Sequence, residues 1–157
     1  MPHAHLEASL SIAAPAHAVF ARMNDLSRFS DWNPFPAMDA STVSRHEGPA
    51  AGPGASFSYE GDRLGKGRME IVAVDEPHRI DIAMTFWRGK TVSHSKAAFV
   101  VCAEAGTTTV RWTFDEDRSF GMYLLGKLAF DRMMTRTFLD GLKTLKGLVE
   151  SELAATA

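Results

Sequence analysis

The segment FDRMMTRTFLDGLKTLKGLV, residues 130–149, decides how the rest of the chain is read. Phe130, Met134, Phe138, Leu142, Leu145 and Val149 recur at steps of three or four, which places them on one stripe of an α-helix. Helical spacing runs from just after Asp115-Glu116-Asp117, three acids that favour the positive end of a helix, to about Leu153. Gly121 and Gly126 weaken its first turns by up to about 1 kcal/mol each relative to alanine. A helix of some thirty residues is ~45 Å long, enough to cross a whole domain of this size. A helix with one continuous apolar stripe needs a broad apolar face to lie on.

The preceding sequence supplies that face. Residues 5–13 alternate, with Leu6, Ala8, Leu10 and Ile12 on one side, as in a half-buried strand. Pro15 then opens a helix through Met23, and a second short helix covers Leu26 to Asp31 before Asn33-Pro34 and Pro36 stop it. From 40 to 114 the pattern becomes strands separated by turn residues. Ser41–His46 is a weak strand, and Gly48 to Gly54 is a loop by composition. Ala55, Phe57 and Tyr59 alternate with polar residues, Gly61 to Gly67 reads as a hairpin connection, and Met69, Ile71 and Ala73 begin the next face. Ile80, Ile82, Met84 and Phe86 form the clearest alternating run, and Val110, Trp112 and Phe114 the last. In residues 91–102 the phase is open: Phe99 and Val101 favour the odd positions, Val92, Val100 and Cys102 the even ones. His94 faces inward only on the even phase. Consecutive strands with short connections predict a sequentially paired antiparallel sheet, and the apolar stripe laid across it predicts a two-layer α+β fold.

Composition narrows the function classes. One domain is expected over residues 1–157, at 45% apolar and 23% charged residues. Seventeen Lys plus Arg against nineteen Asp plus Glu give a net charge of −2, with no large positive field for nucleic acid. Lys127, Arg132, Arg136, Lys143 and Lys146 are interspersed with Asp131, Asp140 and Glu150, as on a solvated helix face. The single cysteine, Cys102, excludes an internal disulfide and reads as an inert thiol in a buried strand. No apolar run reaches the ~18 residues of a membrane span, and no basic region precedes Ala13-Ala14-Pro15-Ala16, so a cytoplasmic protein is expected. Neither Gly52-Pro53-Gly54 nor Gly65-Lys66-Gly67 matches a phosphate loop. His3-Ala4-His5 lies at an expected frayed terminus, and His17, His46, His78 and His94 lack the close spacing of metal ligands. No metal and no cofactor are expected.

Several short motifs now acquire a common meaning. Ile12-Ala13-Ala14-Pro15 leads to Val19-Phe20; Asp25 is followed by Phe29, Trp32 and Pro34. Gly65-x-Gly67, Pro77-x-Arg79-Ile80, Gly106-Thr107-Thr108-x-Val110-x-Trp112 and Gly141-Leu142-x-x-Leu145-Lys146 with Glu150 complete the series. In this order, over residues 6–150, the chain resembles the START-like (SRPBCC) superfamily. That superfamily includes Bet v 1-type proteins and bacterial polyketide cyclase/dehydrase and lipid-transport proteins. The resemblance implies a helix-grip fold: a curved antiparallel sheet wrapped around a long C-terminal helix, with two short helices after the first strand. It also implies an elongated cavity between sheet and helix for an apolar or amphipathic ligand.

The expected function is binding of a small hydrophobic or amphipathic ligand of lipid, polyketide or aromatic type. Trp32, Phe35, Phe57, Tyr59, Met69, Met84, Phe86, Phe99, Trp112, Phe130, Met134 and Phe138 are the expected lining. Eight methionines suit a wall that accommodates varied shapes. Trp32-Asn33-Pro34-Phe35 reads either as a hydrophobic plug or as the cavity mouth, and a plug there would also be a gate. A first alternative is an enzyme resembling polyketide cyclases or dehydratases, in which Tyr59, Ser93, Ser95 or a histidine moves a proton; a plainly buried tyrosine ring is the commoner role for such a residue. A second is a protein-interaction module of the same superfamily.

Overall fold

Seven antiparallel strands and one long helix account for most of the residues that the computed structural model describes, 3–118 and 129–156. Strand β1 spans His3–Ile12 and helix α1 spans Ala16–Asn24; short 3₁₀ turns follow at Leu26–Asp31 and Phe35–Ala37. The strands β2 (Val43–Glu47), β3 (Ser56–Gly61), β4 (Gly65–Asp75), β5 (Arg79–Arg88), β6 (Thr91–Glu104) and β7 (Thr107–Asp117) come next, and α2 occupies Asp131–Thr156. The spatial order is β1-β7-β6-β5-β4-β3-β2, so only β1 leaves its chain neighbour, crossing over to pair with β7. This is the curved antiparallel sheet and long C-terminal helix of the helix-grip fold. The helical expectation for residues 119–128, including Gly121 and Gly126, lies outside the described residues.

Pairing register converts the alternating pattern into rows across the inner face. Ala8, Trp112, Phe99 and Ile80 form one row; Leu6, Phe114, Ala97, Ile82 and Ile71 form the next. Beyond them lie Ser95, Met84, Met69 and Phe57, and then Ser93, Phe86, Gly67 and Tyr59. Register also settles what the sequence left open. The odd phase of β6 faces inward, so His94 is exposed, with Nδ1 3.4 Å from Thr85 Oγ1. Cys102 is exposed as well, contrary to its reading as a buried thiol, because it shares the outward phase and pairs with Thr109.

Three further local readings change. Residues 3–5 are paired strand, His3 opposite Asp117, and both histidines lie against Asp115. Gly67 belongs to β4, since the hairpin turn is confined to Asp62–Leu64. Ala73 faces out and Val74 in, because Val72 is an extra residue between the Ile71–Ile82 and Ala73–Asp81 pairs. Such a bulge bends its strand and increases local twist, which helps the sheet to curve.

The helix meets the sheet unevenly. Phe138, Gly141, Leu142, Leu145 and Val149 are buried, whereas Phe130 and Met133 are 40% and 45% exposed. Gly141 explains where contact is tightest: a Cβ there would lie 3.0 Å from Pro34 and 3.1 Å from Trp112. The absent side chain lets the helix axis approach the sheet at this point. Before it, Phe130 and Met133 keep large accessible surfaces, while Met134 packs partly against the core. Near the other end, Glu150 accepts from the Ala13 backbone N–H at 2.8 Å, and the buried Arg22 pairs with Asp31 at 3.2 Å and Glu152 at 3.0 Å.

Asp39 locks the segment between the short turns and β2. Its carboxylate accepts from the Ser41 hydroxyl and N–H and from the backbone N–H groups of Arg63 and Leu64. These bonds, led by the Ser41 hydroxyl, hold its pKa far below the usual 3.8. The stabilisation is therefore fully present above the unfolded value and is lost as pH falls below about 4 toward the folded value. Asp39→Asn is expected to lower the denaturation midpoint at pH 7, with the gap to wild type closing as pH drops below about 4. A gap that stays constant from pH 7 to pH 2.5 would remove the carboxylate from this role.

Candidate functional site

The twelve residues named as cavity lining divide into two sets. Trp32, Phe57, Met69, Phe99, Trp112 and Phe138 are almost completely buried; Trp32, Phe99, Trp112 and Phe138 are linked by direct ring contacts, and Phe57 joins them through Phe29. Phe138 stacks on Trp112 at 4.5 Å and 14°, while Phe99 and Trp32 approach the same indole at 5.3 and 5.8 Å. Edge-to-face and offset pairs of this kind add stability beyond the area they bury. Trp32 is part of this buried ring cluster, with its indole N–H buried and without a partner among the described residues.

The other set, Phe35, Tyr59, Met84, Phe86, Phe130 and Met134, retains accessible surface. Phe35 marks the boundary. Its backbone N–H donates to Asn33 Oδ1 at 3.0 Å, and its ring meets Trp112 and Phe138 edge-on but stacks on Tyr59 at 6.2 Å and 15°. Tyr59 in turn lies over Gly67, where a Cβ would come within 2.4 Å of the phenol oxygen. Burial pushes the Tyr59 pKa up to about 12, partly opposed by the charge of Arg88, so near neutrality the phenol is a hydrogen-bond donor. Phe86 and Met84 continue from Tyr59 across β5; Met134, near the start of α2, packs against the core with part of its surface accessible, and the exposed Phe130 immediately precedes the helix.

Polar groups complete this end. Ser95, 9% exposed on the inward phase of β6, directs its hydroxyl to Glu116 at 3.5 Å. Glu116 accepts from Arg118 Nε at 2.5 Å, and Arg118 Nη1 lies 2.9 Å from Asp131 at the start of α2. Burial alone would lower the Arg118 pKa; its pairing with Glu116 and Asp131 more than offsets this and raises it, so the guanidinium is held charged. The sequence reading named Ser95 but took Glu116 only as one of the acids preceding the helix. Continuing the Trp112, Phe114 alternation along β7 by two steps was the signal that puts Glu116 inside.

His17, His78 and His94 are exposed, and His46 Nε2 lies 2.7 Å from the Pro49 carbonyl oxygen. Arg79–Asp81 and Arg111–Glu7 form exposed ion pairs on the outer face, at 2.8 and 3.1 Å. An open groove of about 590 Å³ runs along the outside, between Glu7–Ser9 of β1 and the flank of α2 from Asp131 to Leu139. Among the described residues no helix is long and apolar enough to cross a membrane.

Comparison with solved structures finds this architecture repeatedly. Protein Ms6760 of Mycobacterium smegmatis is 19% identical, with a TM-score of 0.60 over 98% of this chain and 92% of that one. KanY is 14% identical, with a TM-score of 0.70 over 96% of this chain and 99% of its own. DynU16, encoded in the dynemicin biosynthetic locus, is 16% identical, with a TM-score of 0.65 over 94% of this chain and 48% of its own. At these identities the likeness is one of fold. No curated protein matches the sequence significantly. Residues 3–149 match the family described as polyketide cyclase / dehydrase and lipid transport. With nearly the whole helix-grip domain inside that match, the chain belongs to the polyketide cyclase/dehydrase and lipid transport family.

Proposed function

We propose that the protein binds a small apolar or amphipathic organic molecule between the first turns of α2 and the inner face of β3–β6. One observation carries this reading: apolar side chains of sheet and helix keep accessible surface at this end, while the rest of the same interface is closed. A layer built only for stability gains from closing along its whole length, at roughly 25 cal/mol per Å² of apolar surface. Phe86, Met84, Tyr59 and Met134, all partly exposed, and the exposed Phe130 forgo that gain, and a ligand would recover it. Flexible methionines from both layers suit a ligand of variable shape. DynU16, a structural neighbour encoded in a biosynthetic locus, is consistent with an organic metabolite as the ligand class.

A catalytic version of this reading rests on Tyr59. Its protonated phenol, with a pKa of about 12, is suited to hold a carbonyl oxygen rather than to release a proton quickly near neutrality.

Thermal unfolding against a panel of fatty alcohols, sterols, aromatic polyketides and flavonoids tests the proposal. A ligand at one hundred times its Kd adds about 2.7 kcal/mol. For a chain of this size that is a rise in Tm of about 5–10 °C. The binding reading fails if every class leaves Tm unchanged and protein purified from its host carries no organic molecule by native mass spectrometry.

A further inference from the structure

The arginines of the strands differ by the face they occupy. Arg45, Arg68, Arg79 and Arg111 take outward positions, and each pairs with a carboxylate, Glu47, Glu70, Asp81 and Glu7, at 3.0, 2.7, 2.8 and 3.1 Å. Arg88 ends β5 on the opposite phase, the one that carries Ile80, Ile82, Met84 and Phe86 inward. It is exposed and has no ion-pair partner among the described residues. Residues 119–128 contain no Asp or Glu that could supply one.

This cation stands at the rim of the proposed ligand site. Successive inward side chains of a strand lie about 7 Å apart, so Met84, Phe86 and Arg88 offer two apolar steps and then a charge. Register sets Phe86 opposite Gly67, over which the Tyr59 ring lies, so the phenol oxygen sits beside β5. Arg88 is close enough for its charge to act on that phenol, against the effect of burial. The phenol keeps its proton near neutrality and has no hydrogen-bond partner among the described residues. Ser93 and Thr91 of β6, exposed opposite Phe86 and Arg88, complete the rim with hydroxyls.

The chemistry of a fitting headgroup follows from these donors. A guanidinium donates through up to five N–H groups and accepts nothing. Its planar fork matches a carboxylate with two parallel bonds, and an adjacent phenol can donate a further one. The inward carboxylate of β7, Glu116, already accepts from Arg118 and leaves Arg88 to an outside partner. We propose that the ligand is an amphipathic carboxylic acid, its apolar body over Met84 and Phe86 and its carboxylate held by Arg88 and the Tyr59 hydroxyl. This rests on the binding reading above and specifies its ligand class. Because Arg88 is exposed, salt screens the pair, and the affinity it adds is moderate.

The test uses the full chain and two matched pairs, octanoate with octanamide and 2-naphthoate with 2-naphthamide, titrated calorimetrically at pH 7 and low salt. Acid and amide share a shape and differ in charge. In whichever skeleton binds, the carboxylate is expected to bind at least about fivefold more tightly than its amide, with the ratio shrinking in about 0.5 M salt. Arg88→Gln is expected to bring the ratio to within about twofold of one, through loss of carboxylate affinity. Arg88 is exposed and unpaired among the described residues, so this variant should keep the wild-type Tm. Arg79→Gln, which removes the same charge from the outer face, should leave the ratio in place. Amides binding as tightly as acids, or Arg88→Gln matching wild type, overturns the proposal and leaves the binding reading standing. Failure of all four compounds also overturns it, and if the thermal panel is silent too, the binding reading falls with it.

Discussion

Trp112→Ala is expected to lower the free energy of unfolding by about 3–5 kcal/mol, the range for removing a large aromatic side chain from a closed core. Trp112 is 4% exposed and meets aromatic rings from both 3₁₀ turns, β6 and α2. Phe99 of β6 meets it edge-on at 5.3 Å, Phe138 of α2 stacks on it at 4.5 Å, and Phe29 and Trp32 of the first 3₁₀ turn lie at 6.2 and 5.8 Å. The glycine at 141 brings the helix backbone directly against the same ring, so the helix is already as close as its backbone allows. A cavity left there closes poorly, which places the loss toward the upper end of the range and the fall in Tm at roughly 10 °C or more. Urea denaturation measures it. A loss below about 1.5 kcal/mol would mean that α2 settles into the vacated space and that the core is softer than its ring contacts indicate.

Gly67→Ala is expected to weaken binding of the best compound in the thermal panel by at least about tenfold, or about 1.4 kcal/mol. The new methyl group would stand 2.4 Å from Tyr59 Cζ and Oη, closer than any stable contact. The Tyr59 ring must therefore leave the sheet surface, and the direction open to it is toward α2, into the proposed ligand volume. The Phe35–Tyr59 stack at 6.2 Å would be lost with it. Folding should suffer little, because alanine suits a strand somewhat better than glycine and Tyr59 is only partly buried. The double variant Gly67→Ala/Tyr59→Ala removes the ring that clashes and is expected to bind more tightly than Gly67→Ala alone. That non-additivity is what two touching groups show and distant ones do not. Equal affinity in wild type and Gly67→Ala would place the ligand away from Tyr59.

Which end of the fold is closed was not legible in the helix stripe. Phe130, Met134, Phe138 and Leu142 are equivalent by spacing, yet Phe138 is 2% exposed and Phe130 40%. The buried part of the stripe is the part beside the close approach at Gly141, and Phe130 lies well before it. Likewise Trp32 and Phe35, three residues apart, were read as one aromatic cluster. The 3₁₀ turn sends the first ring into the core and leaves the second stacked on Tyr59. The Glu116–Arg118–Asp131 cluster joins two nearby residues at the end of β7 to Asp131 more than ten positions on, and a local window reads these charges only as solvated.

From the residues alone came the order of elements, the antiparallel pairing of neighbours, the single apolar face and the helix that covers it. Each follows from a repeat of two or of 3.6 residues, which the chain carries locally. The inward phase of β6, the bulge at Val72, the exposure of Cys102 and the ion pair between Arg118 and Asp131 came only from the folded molecule. They depend on cross-strand register and on the tilt of one helix, quantities set by the simultaneous packing of distant residues.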